Sequence, residues 1–151
     1  MTDNEVKINI GCGNKQYKGS GMINIDIQDF GQDYILDMEK DKLPFEDNSV
    51  DYARADHFIE HLFDVKNLFN EVWRVLKPNG RFEFYVPYGL YPNQFSPVHK
   101  QTITEYWVRW FSKNDNFENY GYRRWKDEII TVATKPDGQK YEIHGILTPY
   151  K

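Results

Sequence analysis

Four short stretches in which apolar and polar residues largely alternate, and one more of three residues, each closed by glycine, aspartate or proline, constrain this chain more than any other feature. Val6-Lys7-Ile8-Asn9-Ile10 stops at Gly11, and the apolar residues Ile23, Ile25 and Ile27 repeat the pattern over 22–27, with Asp26 and Asp29 at its end. Tyr34-Ile35-Leu36 is closed by Asp37, residues 50–55 run into Asp56, and Phe82, Phe84 and Val86 alternate up to Pro87. A period of two over four to eight residues, bounded by turn formers, predicts strands. Between the fourth and fifth, Leu62, Val65, Leu68, Phe69, Val72, Trp73, Val75 and Leu76 recur at three- and four-residue steps, which predicts a helix with Asp64 as N-cap. Lys77-Pro78-Asn79-Gly80 ends it, because proline cannot continue a helix.

Later in the chain, Thr102-Ile103-Thr104-Glu105 has capping-box spacing and opens a second helix with Tyr106, Trp107, Trp110 and Phe111 on one face. Residues 128–134 and 140–147 flank Lys135-Pro136-Asp137-Gly138-Gln139, which predicts an antiparallel hairpin. With no repeat or linker to divide it, the chain of 151 residues reads as one α/β domain, 1–151, built on a Rossmann-like, mostly parallel sheet with an antiparallel terminal hairpin. Ligands of such sheets bind beyond the carboxyl ends of the strands.

Those ends carry Gly11-Cys12-Gly13-Asn14, Asp26, Asp37-Met38, Asp56-His57 and Tyr88. Glycines let backbone approach a ligand, Asp26 could accept from vicinal ribose hydroxyls, and Asp37 from an adenine amino group. The set describes a slot for adenosine. A dinucleotide fingerprint is incomplete, since Gln16 stands where the third glycine is needed, and no triphosphate-binding loop is present.

In its ordered motifs the chain resembles the compact class I S-adenosylmethionine-dependent methyltransferases. The resemblance rests on Ile8-Asn9-Ile10-Gly11-Cys12-Gly13-Asn14, Asn24-Ile25-Asp26, Leu43 through Asp51, Glu60-His61-Leu62 and Glu71 through Gly80. It implies S-adenosyl-L-methionine as cofactor, with Gly11, Cys12, Gly13 and Asn14 beneath its methionine part. Asp26 would hold the ribose, Asp37 and Met38 would face the adenine, and Asp56 or His57 would border the methionine end. It also implies a seven-stranded sheet with an antiparallel last strand. The connections after the first and second strands are too short for the helices the family places there, leaving room for a turn at most.

Methyl transfer to oxygen or nitrogen needs positioning and, for a hydroxyl, a base. His99, in the loop after the fifth strand, His57 and His61 are the candidate bases, with Tyr88 as an orienting hydroxyl; a structural role is favoured for His61 and His144. Cys12 packs beneath the loop, and no metal site is expected. The acceptor expected is a small molecule or saccharide, helped by aromatic residues between Tyr85 and Trp125 that could stack on a ring or form a homo-oligomer interface. The alternative is a non-catalytic S-adenosylmethionine-binding or assembly module.

A net charge of −4, with the acidic surplus before residue 99, argues against a nucleic-acid partner. The motifs that hold a flipped base or attack a cytosine ring are also missing. Neither a signal peptide nor a long apolar span is visible, so no membrane association is expected. The lone Cys12 agrees with a reducing, cytoplasmic setting.

Overall fold

The computed structural model describes residues 4–14 and 20–151. Seven strands form one sheet in the order β3-β2-β1-β4-β5-β7-β6: β1 Lys7–Ile10, β2 Met22–Asp26, β3 Tyr34–Ile35, β4 Val50–Asp56, β5 Leu76–Pro87, β6 Trp125–Thr134 and β7 Lys140–Pro149. The first five pair in parallel, and β7 runs antiparallel to both β5 and β6. The expected sheet with its terminal hairpin is therefore the observed one.

Among the described residues two α-helices accompany it, α1 Lys66–Val75 and α2 Glu105–Lys113. Both pack on the apolar side of the sheet. Phe69 of α1 meets Phe82 and Phe84 of β5 edge-on and stacks on Phe111 of α2 at 4.0 Å. Ile8, Ile10, Ala53, Ala55 and Ile143 complete this core, each fully buried.

The opposite face of the sheet is polar. Register places Asn24, Asn9, Arg54, Glu83 and Ile146 side by side across β2, β1, β4, β5 and β7, with Asp56, Tyr85 and His144 as the next row. Parallel sheets covered on both faces read as continuous apolar runs, whereas alternation marks a sheet packed on one face. The polar groups satisfy one another. Glu83 accepts from the hydroxyls of Tyr52 and Tyr85 and pairs with His144 Nε2 at 2.6 Å. His144 stacks on Tyr85 at 4.4 Å, and the Arg54 guanidinium lies over the same tyrosine. Burial pushes Glu83 upward, but Tyr52, His144 and Tyr85 outweigh it and hold the carboxyl below its ordinary range.

Several boundaries differ from expectation for local reasons. Asp64 is not the N-cap of α1; Val65 is, and the Asp64 carboxylate accepts from the Lys66 N–H just inside the helix. Thr104, rather than Thr102, caps α2 by accepting from Trp107 N–H, so the capping box is not formed from Thr102. Strand β5 begins at Leu76, immediately after α1: Leu76 pairs with Val50 and Arg81 with Tyr52, so Lys77-Pro78-Asn79-Gly80 form a bulge between the two pairs. The connection between β2 and β3 holds no helix, as expected. The turn expected between β1 and β2 falls on 15–19, outside the described residues. No helix among the described residues is long and apolar enough to cross a membrane.

Candidate active site

The strand ends converge on a cleft of about 350 Å³ lined by Asn9, Gly11, Cys12, Gly13, Asn14, Asp56 and His57. This size falls within the range of small-molecule sites. The Gly11–Asn14 loop is pinned to β2, since the N–H groups of Gly11 and Cys12 both donate to the Ile25 carbonyl at 2.8 and 3.0 Å. Gly13 N–H donates to Asp26 Oδ2 at 2.9 Å, and Gln28 N–H to Oδ1 at 3.0 Å. Each of these oxygens keeps a further lone pair. Asp26 thus fixes the loop and retains capacity to accept from a ligand.

The residues fit a nucleoside bearing a charged tail. Gly13 adopts φ +53°, and a Cβ built there meets nothing within 4 Å, so bare backbone faces open space. Asp56, at the end of β4, contributes a half-exposed carboxylate held by Arg54 Nη2 at 3.2 Å. Asn9, which sequence reasoning passed over, adds a buried amide committed to Asn24 through its Nδ2 donor at 3.0 Å. Its signal was its position on the polar side of β1, two residues before the glycine loop.

Other expected site residues lie elsewhere. Asp37 caps its own turn, accepting from Glu39 N–H at 3.0 Å and pairing with Lys40 at 3.3 Å. The Met38 side chain is buried in the apolar core, and its carbonyl accepts from Asn67. Neither side chain lines the cleft. Tyr88 is also buried, with Lys140 over its ring and its hydroxyl toward Glu105. A role orienting a substrate in this cleft does not fit it. His99 is half-buried in the loop after β5, its Nδ1 on the Gln94 carbonyl at 3.2 Å.

His57 borders the cleft in a left-handed conformation, φ +50°, which is uncommon for a residue with a Cβ. Its Nδ1 stands 3.5 Å from Glu60 and its Nε2 2.9 Å from Glu142. The bond to Glu60 raises its pKa most, burial opposes, and Glu142 and Asp56 add to the rise, to about 9. A histidine so held carries a proton at neutral pH and can donate but not accept. That charge state corrects its expected role as a base.

Cys12 is buried, and its thiol is pushed up to about 11, chiefly by burial and then by the Asp26 carboxylate. The thiolate is the reactive species, so a rise of this size makes it scarce. In the native protein, Cys12 is expected to react with a disulfide reagent at neutral pH roughly 100-fold more slowly than in urea. Absorbance of the released thiol measures both rates.

Residues 14–84 match a family model described as a methyltransferase domain. Among solved structures, an S-adenosylmethionine-dependent methyltransferase from Mesorhizobium loti superposes with TM-score 0.63 at 15% identity, covering 95% of this chain and 90% of that one. An S-adenosylmethionine-dependent methyltransferase from Methanosarcina mazei gives 0.59 at 17%, covering 99% and 94%. Geranyl diphosphate C-methyltransferase from Streptomyces coelicolor A3(2), solved with Mg2+, a thiolodiphosphate analogue and S-adenosyl-L-homocysteine, gives 0.63 at 14%, covering 97% and 70%. At these identities the superpositions speak for the fold, while the matched region runs from Asn14, just after the loop's glycines, into β5. Sheet order, strand-end cleft and the match over residues 14–84 together make the chain similar to the S-adenosylmethionine-dependent methyltransferases of this fold.

Proposed function

We propose that residues 1–151 act as one methyltransferase domain that modifies an oxygen or nitrogen of a small molecule or saccharide. S-adenosyl-L-methionine supplies an electrophilic methyl group on a sulfonium. The chain's own residues bind and orient. Gly11, Cys12, Gly13 and Asn14 floor the cleft beneath the cofactor's methionine part, Asp26 accepts from the ribose hydroxyls, and Asp56 meets the amino-acid end. The observation that carries this reading is the link between the open Gly13 backbone and the Asp26 carboxylate.

For the acceptor, support comes from a bowl of about 600 Å³ between the start of α1 and α2. Its walls include Tyr106, Trp107, Trp110 and Tyr122, with the Gln101 amide and the Asp64 carboxylate among the lining groups. Aromatic faces beside a few hydrogen-bonding groups suit a sugar ring. In-line displacement gains most from holding acceptor and methyl group in register.

Calorimetry with S-adenosylmethionine and S-adenosylhomocysteine tests the cofactor half. Asp26→Ala is expected to weaken binding of both by about 1–3 kcal/mol, the usual loss for hydrogen bonds to a charged acceptor. Equal affinities for the folded variant and the parent would overturn the assignment of Asp26 to the ribose.

A further inference from the structure

Beside the cleft, the short 3₁₀ turn Ile59–His61 is stapled to the loop that carries His99. The Glu60 carbonyl accepts from the N–H groups of Lys100 and Gln101, and the Gln101 side chain donates back to the carbonyls of Leu62 and Phe63. This holds Glu60, His61 and His99 together, with one carboxylate oxygen and one nitrogen of each ring within 4.8 Å of one another. The two rings meet edge to face at 4.9 Å.

Each histidine is poised by its other nitrogen. His61 Nδ1 lies 3.2 Å from the Val98 carbonyl, and His99 Nδ1 lies 3.2 Å from the Gln94 carbonyl. A carbonyl can only accept, so the proton of each neutral ring sits on Nδ1, leaving the Nε2 lone pair free. Metal-binding histidines are oriented in this way by an outer carbonyl or carboxylate. Glu60 supplies the independent sign: its side chain is 1% exposed, and while His57 stands 3.5 Å from its Oε1, its Oε2 is buried with no hydrogen-bond partner. A carboxylate oxygen left bare in a buried position calls for a cation.

We infer that Glu60, His61 and His99 form a binding site for one divalent first-row transition metal, of the Zn2+ type. Two imidazoles with a carboxylate suit such ions, whereas Mg2+ and Ca2+ prefer all-oxygen sets. Ligand bonds of roughly 2.0–2.2 Å require the three groups to draw inward, which the exposed His61 ring can do by rotating. Three protein ligands leave at least one coordination position for water or another oxygen. Within the methyl-transfer reading, on which only this last consequence rests, that position accepts the acceptor's hydroxyl, because His57 touches both Glu60 and the cleft.

The test titrates chelator-treated full-length protein with Co2+, read by its visible ligand-field absorption, and then displaces it with Zn2+ followed by calorimetry. One equivalent of each is expected. Glu60→Gln, His61→Ala and His99→Ala should each weaken Zn2+ binding by at least about 100-fold, at or above the range seen when only an outer partner of a ligand is lost. His144→Gln, whose parent ring is committed to Glu83 on the far side of β5, should bind as the parent does. Circular dichroism checks each fold. If Glu60→Gln fails to fold, the two histidine variants decide, since neither ring is buried. No binding of either metal in large excess, or binding unchanged in the folded variants, overturns the inference. Calorimetry with S-adenosylmethionine on the same samples separates the two readings: cofactor binding without metal overturns only the metal site, and metal binding without cofactor overturns only the assignment of the cleft.

Discussion

Arg74→Met is expected to lower the stability of the fold by about 3–5 kcal/mol, the usual loss when one partner of a buried ion pair is removed. Arg74 sits in the last turn of α1 and grips the 43–47 segment with its whole guanidinium. Its Nε and Nη2 donate to the two oxygens of Glu71 at 2.9 and 2.8 Å, and Nη1 and Nη2 donate to the carbonyls of Phe45 and Leu43. Asp47 accepts as well, at 2.8 Å. Glu71 is almost fully buried and also accepts from Leu43 N–H at 2.8 Å. Methionine would fill much of the volume but leave that carboxylate without its cation.

Lysine should restore little, because a single ammonium cannot fork onto two carboxylate oxygens and two carbonyls. Pairing Glu71→Gln with Arg74→Met should cost less than the sum of the single changes, as the bare charge is then removed. Burial drives the Glu71 carboxyl upward, but Arg74 and the Leu43 amide outweigh it and hold its pKa below the ordinary value. A carboxyl depressed in the folded state stabilises above its unfolded pKa of about 4.3, and that contribution is lost as pH falls through the folded value. Urea denaturation of parent and Arg74→Met should therefore give a gap that is widest near neutrality and narrows below about pH 4. A gap that stays constant into acid would show that the loss comes from packing rather than charge.

The same clamp shows what kind of information the sequence carried. Leu43-Pro44-Phe45-Glu46-Asp47 and Glu71-Val72-Trp73-Arg74 were legible as family motifs, but nothing in their spacing said that one arginine reads the carbonyls of the first from the helix of the second. Strand existence was legible because Ile8, Ile10, Phe82 and Phe84 alternate with polar residues. The alternation held a second message: Asn9, Arg54, Glu83 and His144 lie on a polar face whose groups engage one another through hydrogen bonds and stacking. Asp37 is ambiguous in the sequence because strand-end carboxylates serve turns and ligands with the same chemistry. Choosing between them requires knowing that Lys40 and the Glu39 amide are within reach. The grouping of Glu60 with His61 and His99 depends on how the loop after β5 folds back, a contact of high sequence separation that local pattern does not encode.

Gly11→Val is expected to cost about 2–5 kcal/mol and to abolish cofactor binding, two effects with one origin. Gly11 adopts φ +69°, where a β-branched residue is a genuine outlier. A Cβ at that position would also stand 2.2 Å from the Cγ and Cδ2 of Phe58 and 2.6 Å from its Cβ. Rotation about χ1 can swing Cγ and Cδ2 aside but cannot move the Phe58 Cβ, which at 2.6 Å still clashes, so the backbone must move. That backbone is anchored, because the Phe58 carbonyl accepts from His61 N–H at 3.0 Å and His57 N–H donates to Tyr85 at 2.8 Å. The glycine loop has equally little slack, held to Ile25 by two hydrogen bonds. Gly13 provides the contrast, since its φ is also positive but no atom lies where a Cβ would go. Gly13→Ala should thus cost only the conformational part, about 1–2 kcal/mol, while Gly11→Ala adds the clash. Removing the Phe58 ring and its Cγ in Phe58→Ala should recover part of the Gly11→Ala loss in the double variant, leaving the conformational strain behind. Chemical denaturation of the parent, the single variants and the double variant measures each step. Equal losses for Gly11→Ala and Gly13→Ala would mean that Phe58 yields freely, and that the floor of the cleft is not fixed by the contact between the end of β4 and the loop after β1.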